Sequence, residues 1–161
     1  MPVATITTVF CFQQATGVDG AVNTAVFALV PDVISLDQYL GRSAQDVIRA
    51  MPGVLQAIDQ ARADPDQLYI TTSTAGGRDN AIWPAPGADV EMRAGQSNDV
   101  NLELPFEHSL NLSLWDYDSG SGDDLLGSIT LYAGEQGAGE KVRKAWSSVE
   151  GSCYFVTYRV D

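Results

Sequence analysis

Beyond Pro65 the chain is a succession of short β-forming runs, at residues 68–72, 79–83, 89–93, 101–104, 110–115, 128–132 and 154–160, bounded by turn chemistry. That spacing predicts an antiparallel β-sandwich. The run at 110–115 is the most regular. Leu110, Leu112 and Leu114 alternate with Asn111, Ser113 and Trp115, which predicts a half-buried strand with its leucine face on the core.

The first 66 residues read differently. Residues 3–12 are rich in β-branched and aromatic types and predict a strand; a turn at 17–20 and a second apolar run at 21–30 follow. From Ser43 the pattern changes. Val47, Ile48, Met51, Leu55 and Ile58 recur at helical spacing, with Ser43 as N-cap and Asp46 at the positive end of the helix dipole. Pro52-Gly53 interrupts the pattern, giving two short helices or one bent helix that ends before Asp64-Pro65. The expectation is therefore a mainly β, single-domain antiparallel sandwich over residues 1–161, with a helical N-terminal elaboration at about 43–63; a chain of 161 residues fits one domain.

Nine Lys and Arg face 21 Asp and Glu, a net charge of −12. Such a field repels phosphate backbones, so nucleic acid is not an expected partner, and it attracts cations. Converging carboxylates in such a chain would suit a hard divalent ion such as calcium. The N-terminus has no basic region, long apolar stretch or small-residue cleavage site, and no segment is long enough to span a bilayer. A cytoplasmic location, or export by a non-classical route, is expected. Cys11 and Cys153 lie in predicted strands outside any C-x-x-C spacing. A bridge between first and last strands and two buried free thiols both remain open, the second being the simpler reading.

The stretch from Trp115 to Gly127 holds the densest acidic chemistry, with Asp116, Asp118, Asp123 and Asp124 around Ser119-Gly120-Ser121-Gly122. Asp116 and Asp118 share strand parity and emerge on one side at a strand end. The Ser-Gly link lets the chain double back, with Leu125 and Leu126 anchoring the return and Asp124 approaching the first pair. Without a cation such carboxylates raise one another's pKa; six to eight oxygens around calcium relieve the conflict. An EF-hand does not fit. Counting from Asp116, position six is Ser121 rather than Gly and position twelve is Gly127 rather than Glu.

The Asp-x-Asp pair, the Asp six residues beyond it and the closing Leu-Gly resemble the third calcium loop of C2 domains, of the perforin, protein kinase C and synaptotagmin type. The resemblance implies that Asp116, Asp118 and Asp124 are calcium ligands, with the Tyr117 carbonyl, Ser121 and Asp123 in supporting positions. Asn98 to Phe106 resembles the family's preceding strand. Arg78-Asp79-Asn80-Ala81-Ile82 is similar to the segment closing the first calcium loop, which would make Asp79 a further ligand. Two departures stand out: Ser73 lies where C2 domains usually carry another Asp, and Asn80 replaces a Pro. One ion is then expected rather than two or three, held with a dissociation constant on the order of 10⁻⁵–10⁻³ M. The resemblance covers residues 67–132 and leaves residues 1–66 unexplained.

In that family the loops leave part of the ion's coordination open and an anionic lipid phosphate completes it, bridging two negative surfaces. Here the tip Ser119 to Gly122 has no apolar side chain, and Lys141, Arg143 and Lys144 form the sole basic cluster. A calcium-stabilised sandwich that recognises a glycan or a protein is the competing expectation. An enzyme is not expected. His108 is a lone strand-edge histidine read as solvated, no G-x-S-x-G occurs, and Glu140 stands where a phosphate loop between Gly134 and Lys141 needs lysine. Trp83, Trp115, Trp146 and Tyr132 are read as core by default, whereas Tyr117 is expected to be exposed beside the ion.

Overall fold

The computed structural model describes residues 1–15, 33–35, 65–120 and 122–161. The expected run at 21–30, the helical stretch at 43–63 and Ser121 lie outside the described residues. The described chain is mainly β, and every strand pairing in it is antiparallel. Its strands are β1 (Val3–Gln13), β2 (Val33–Ser35), β3 (Asp66–Thr71), β4 (Val90–Met92), β5 (Ser97–Pro105), β6 (Ser109–Asp116), β7 (Asp124–Tyr132), β8 (Lys141–Ser147) and β9 (Ser152–Val160). They form a five-stranded sheet, β2-β8-β9-β1-β5, and a four-stranded sheet, β4-β3-β6-β7.

One apolar cluster takes side chains from both sheets, giving a sandwich-like arrangement. Ile6, Val9 and Val156 from the first sheet pack with Leu68, Leu112, Leu114 and Ile129 from the second. The alternation predicted for β6 is present, but its other face is also covered. Ser113 is buried, and Trp115 joins Tyr69 and Ala81 in a second cluster on the far side of the sheet, where its Nε1 donates to Thr71 Oγ1 at 3.0 Å. Gly76 lies against the Trp115 ring, so the segment after β3 folds over this face.

The expected strand at 79–83 is not formed. Arg78–Asn80 is a 3-10 turn and only Trp83 makes an isolated bridge, to Ile70. Pro84 and Pro86 follow directly, and a proline has no N–H to continue a ladder. Strand β8 was missed, because Lys141, Arg143 and Lys144 are three of its seven residues and leave no run of alternating apolar side chains. Two of them meet Glu135, which accepts from Arg143 Nη2 and from the Tyr158 hydroxyl, both at 2.8 Å, and pairs with Lys141 at 3.4 Å, whereas Lys144 Nζ lies 5.5 Å from the Trp146 ring centroid. Strand β7 begins at Asp124 rather than at 128, so Leu125 and Leu126 belong to the ladder.

Both cysteines are buried free thiols. Cys11 lies in the inter-sheet cluster opposite Tyr154, whereas Cys153, the next residue along β9, points to the other face. Burial pushes both thiols up, away from reactivity. His108 is exposed, as expected for a solvated strand-edge residue.

Candidate functional site

The acidic stretch is the connection between β6 and β7, and strand pairing determines where its carboxylates stand. Asp116 ends β6 and Asp124 begins β7, and the two are direct cross-strand partners. Opposed residues on one face lie within about 5.5 Å between Cβ atoms, so two like charges meet there. Asp116 is tied to the neighbouring strand as well. Its Oδ1 accepts from Gln67 N at 2.7 Å, and Tyr117 N donates to Gln67 O at 2.9 Å, extending the β3–β6 pairing one residue past the strand.

Beyond Asp116 the loop is shaped by side chains that bond to backbone, the habit of Asp in turns. Asp118 Oδ1 accepts from Gly120 N at 2.8 Å. Asp123 Oδ1 accepts from Asp118 N at 3.1 Å, and its Oδ2 accepts from the Tyr69 hydroxyl. That hydroxyl in turn accepts from Gly77 N at 2.9 Å, so Tyr69 links the β6–β7 loop to the segment after β3. Burial, followed by the bond to the Asp123 carboxylate, pushes Tyr69 up to about 12.

The electrostatics follow from this crowding. Asp116 is pushed above the usual carboxylate range, first by desolvation and then by the charges of Asp124, Asp118 and Asp123, while the Gln67 N–H opposes the shift. Glu150, from the turn between β8 and β9, is pushed up by desolvation and then by Asp124 and Asp116. Beneath them Asp66, 1% exposed, is pushed up to about 7.

The expected ligands are thus brought together unevenly. Asp116, Asp118, Asp123 and Asp124 share one end of the second sheet. Asp79 belongs to another segment: it is exposed on the 3-10 turn after β3, beside Gly87. Tyr117 is not the exposed ring that was expected. It is half-buried against the Tyr69, Ala81 and Trp115 cluster, with the Arg78 guanidinium 3.6 Å from its ring centroid. Arg78 was not singled out, although it precedes Asp79 in the resembling segment. It pairs with Asp89 at 2.6 Å and lies within electrostatic reach of Asp123. Glu150 was missed too, because it is 26 positions from the β7 Asp124 that it faces.

The donor chemistry fits a hard cation: the candidate ligands are carboxylates and a backbone carbonyl, all oxygen. Among the described residues no three His, Cys, Asp or Glu side chains yet converge as a ready ligand set. The carboxylates instead accept hydrogen bonds within the loop, and a bound ion would replace those of Asp118 and Asp123 with bonds to metal. Compared with known proteins, the chain matches no family model and no curated protein.

Proposed function

We propose that this protein is a non-enzymatic calcium-binding module of C2-like sandwich type, which uses loop-held calcium to engage an anionic phospholipid surface. The observation that carries the reading is the accumulation of Asp116, Asp118, Asp123 and Asp124 on one strand connection, with Asp116 pushed up partly by its acidic neighbours. Asp116, Asp118 and Asp124 would hold the ion, with the Tyr117 carbonyl and Asp123 in support. Ser121 and Asp79 complete the set that the resemblance implies, and Asp79 would have to approach from its own turn. Calcium supplies positive charge between two negative partners, a protein of net charge −12 and a lipid phosphate.

The chain's own residues prepare this role. The β6–β7 pairing aligns Asp116 with Asp124, the Gln67 N–H orients Asp116, and Tyr69 holds Asp123 close to the segment after β3. A second reading, a calcium-stabilised sandwich that binds a glycan or protein without lipid, is favoured by the loop tip, where Ser119, Gly120 and Gly122 offer no apolar side chain to insert.

The test is calorimetric titration of calcium into chelator-treated protein, wild type and Asp116→Asn/Asp118→Asn, with thermal unfolding in parallel. A saturable signal absent from the double variant is expected, with about 2.7 kcal/mol of stabilisation at 100-fold excess over the dissociation constant. Sedimentation with anionic vesicles, with and without calcium, then separates the two readings. Absence of binding in the wild type overturns both.

A further inference from the structure

The outer face of the five-stranded sheet, turned away from the second sheet, is apolar and covered. Strand pairing sets its side chains in rows: Phe10 opposes Phe155 and Phe155 opposes Lys144, Cys153 opposes Trp146, and Thr157 opposes Val142. Opposed residues share a face, and the alternate residues Val9, Ala145, Tyr154 and Val156 belong to the inter-sheet cluster, so these rows point outward. Phe10, Phe12, Val142, Cys153 and Phe155 are nonetheless buried, with the Phe12 and Phe155 rings edge to face at 5.8 Å, and they lie outside both the inter-sheet cluster and the cluster around Trp115. Trp146 and Asp99, at the margins, are exposed. The covered strip is three strands wide, β8-β9-β1, about 10 Å between its outer strand axes, which is the diameter of one α-helix.

The path of the chain supplies the occupant. Strand β2 ends at Ser35 opposite Lys141, and Lys141 opposes Tyr158, at one end of the sheet. Strand β3 begins at Asp66, whose carboxylate accepts from Ala15 N just past the other end, where Gln13 opposes Cys153. Residues 36–64 therefore have to travel the length of the sheet, about 17 Å from Tyr158 to Cys153 at the rise of a strand, and its inner face is already filled by the second sheet. Within them Val47, Ile48, Met51, Leu55 and Ile58 recur at helical spacing, and residues 43–58 as a helix extend about 24 Å, with Pro52-Gly53 allowing a bend over the twisted sheet. We propose that this helical run lies along the outer face of the five-stranded sheet as a third layer of the fold, its apolar stripe against Phe10, Phe12, Val142 and Phe155. Stripe and strip agree in width, length and chemistry. The strip is then internal core, closed to other partners, and the inference is independent of the calcium reading.

The test begins with wild-type protein carrying ¹³C-methyl methionine. Nuclear Overhauser contacts are expected from the Met51 methyl to the rings of Phe10, Phe12 or Phe155. In parallel, thiol labelling is followed in wild type, Met51→Glu, Leu55→Glu and Gln56→Glu, with each cysteine assigned by peptide mapping. Cys153, on the covered face, should label at least about tenfold faster in Met51→Glu and Leu55→Glu, ahead of Cys11 in the inter-sheet cluster, because loss of the layer opens that face locally. Gln56 lies away from the stripe, so Gln56→Glu should label as wild type does. Unchanged protection of Cys153 in both stripe variants, or equal acceleration by Gln56→Glu, overturns the inference. Should the stripe variants fail to fold or expose both thiols together, the wild-type contacts decide. Absence of Met51 contacts to those rings overturns the inference, as do contacts made in Met51's place by residues 21–30 or by a second copy of the chain in a mixed-label sample.

Discussion

Asp66 is the buried carboxylate on which the acidic end of the molecule rests. Both of its oxygens accept from Ala15 N at 3.0 Å, and Oδ2 also accepts from the Tyr154 hydroxyl. These bonds do not offset its desolvation, to which Asp116 and Glu150 add like charge, and its pKa rises from 3.8 to about 7. The unfolded chain therefore releases this proton near pH 4 and the folded protein only near pH 7. Between those values the folded state binds more protons, so stability is full below about pH 4 and falls as pH rises to about 7, by on the order of 4 kcal/mol in all. Asp116 and Glu150, also pushed up, act in the same direction. Asp66→Asn keeps acceptor capacity and carries no charge, so in chelator its melting temperature should decline less with pH across that window. Parallel pH curves for variant and wild type would show that Asp66 does not titrate there.

At the scale of elements, the closest approach is between strands of different sheets. The β6–β7 register shifts between Leu114 and Trp115, so that Leu114 faces Gly127 and Trp115 faces Leu125. The bulge turns the backbone toward β8. Gly127 adopts φ 150, and a Cβ there would lie 2.4 Å from Trp146 N and 2.5 Å from Ala145 C. The obstacle is backbone and cannot rotate away, unlike a flexible side chain. Leu126 O accepts from Ser152 Oγ at 2.8 Å, closing the same corner against β9. Gly127→Ala should therefore destabilise by at least about 3 kcal/mol in denaturant unfolding, in the range reserved for overpacking against a fixed backbone. A loss below about 0.5 kcal/mol would show that the corner yields. The glycine that reads in sequence as the close of a calcium loop thus has a packing duty of its own, which constrains any account of that motif.

For the molecule as a whole, a net charge of −12 makes self-repulsion a general cost of the compact state. Raising ionic strength in chelator should raise the melting temperature, and saturating calcium should shrink that increment, since the ion neutralises the densest acidic region. An ion-free melting temperature indifferent to salt would remove repulsion from the account. Much of this molecule was legible locally. Residues 3–12 and 110–115 announce β1 and β6 because a strand's period of two is written in neighbouring side chains, and the acidic stretch announces itself by composition. Strand β8 was hidden because its Lys141 and Arg143 are matched by Glu135 and Tyr158, partners that only the fold supplies. The candidate site divides in the same way. Asp116, Asp118, Asp123 and Asp124 are close because they are neighbours in the chain, whereas Tyr69, Arg78 and Glu150 reach them only once β3 pairs with β6 and the β8–β9 turn folds alongside. Local periodicity encodes which residues form strands and carries no record of which strands become neighbours; that was decided by burying two sheet faces against one core, and it set the Arg78 guanidinium against the Tyr117 ring beside the loop.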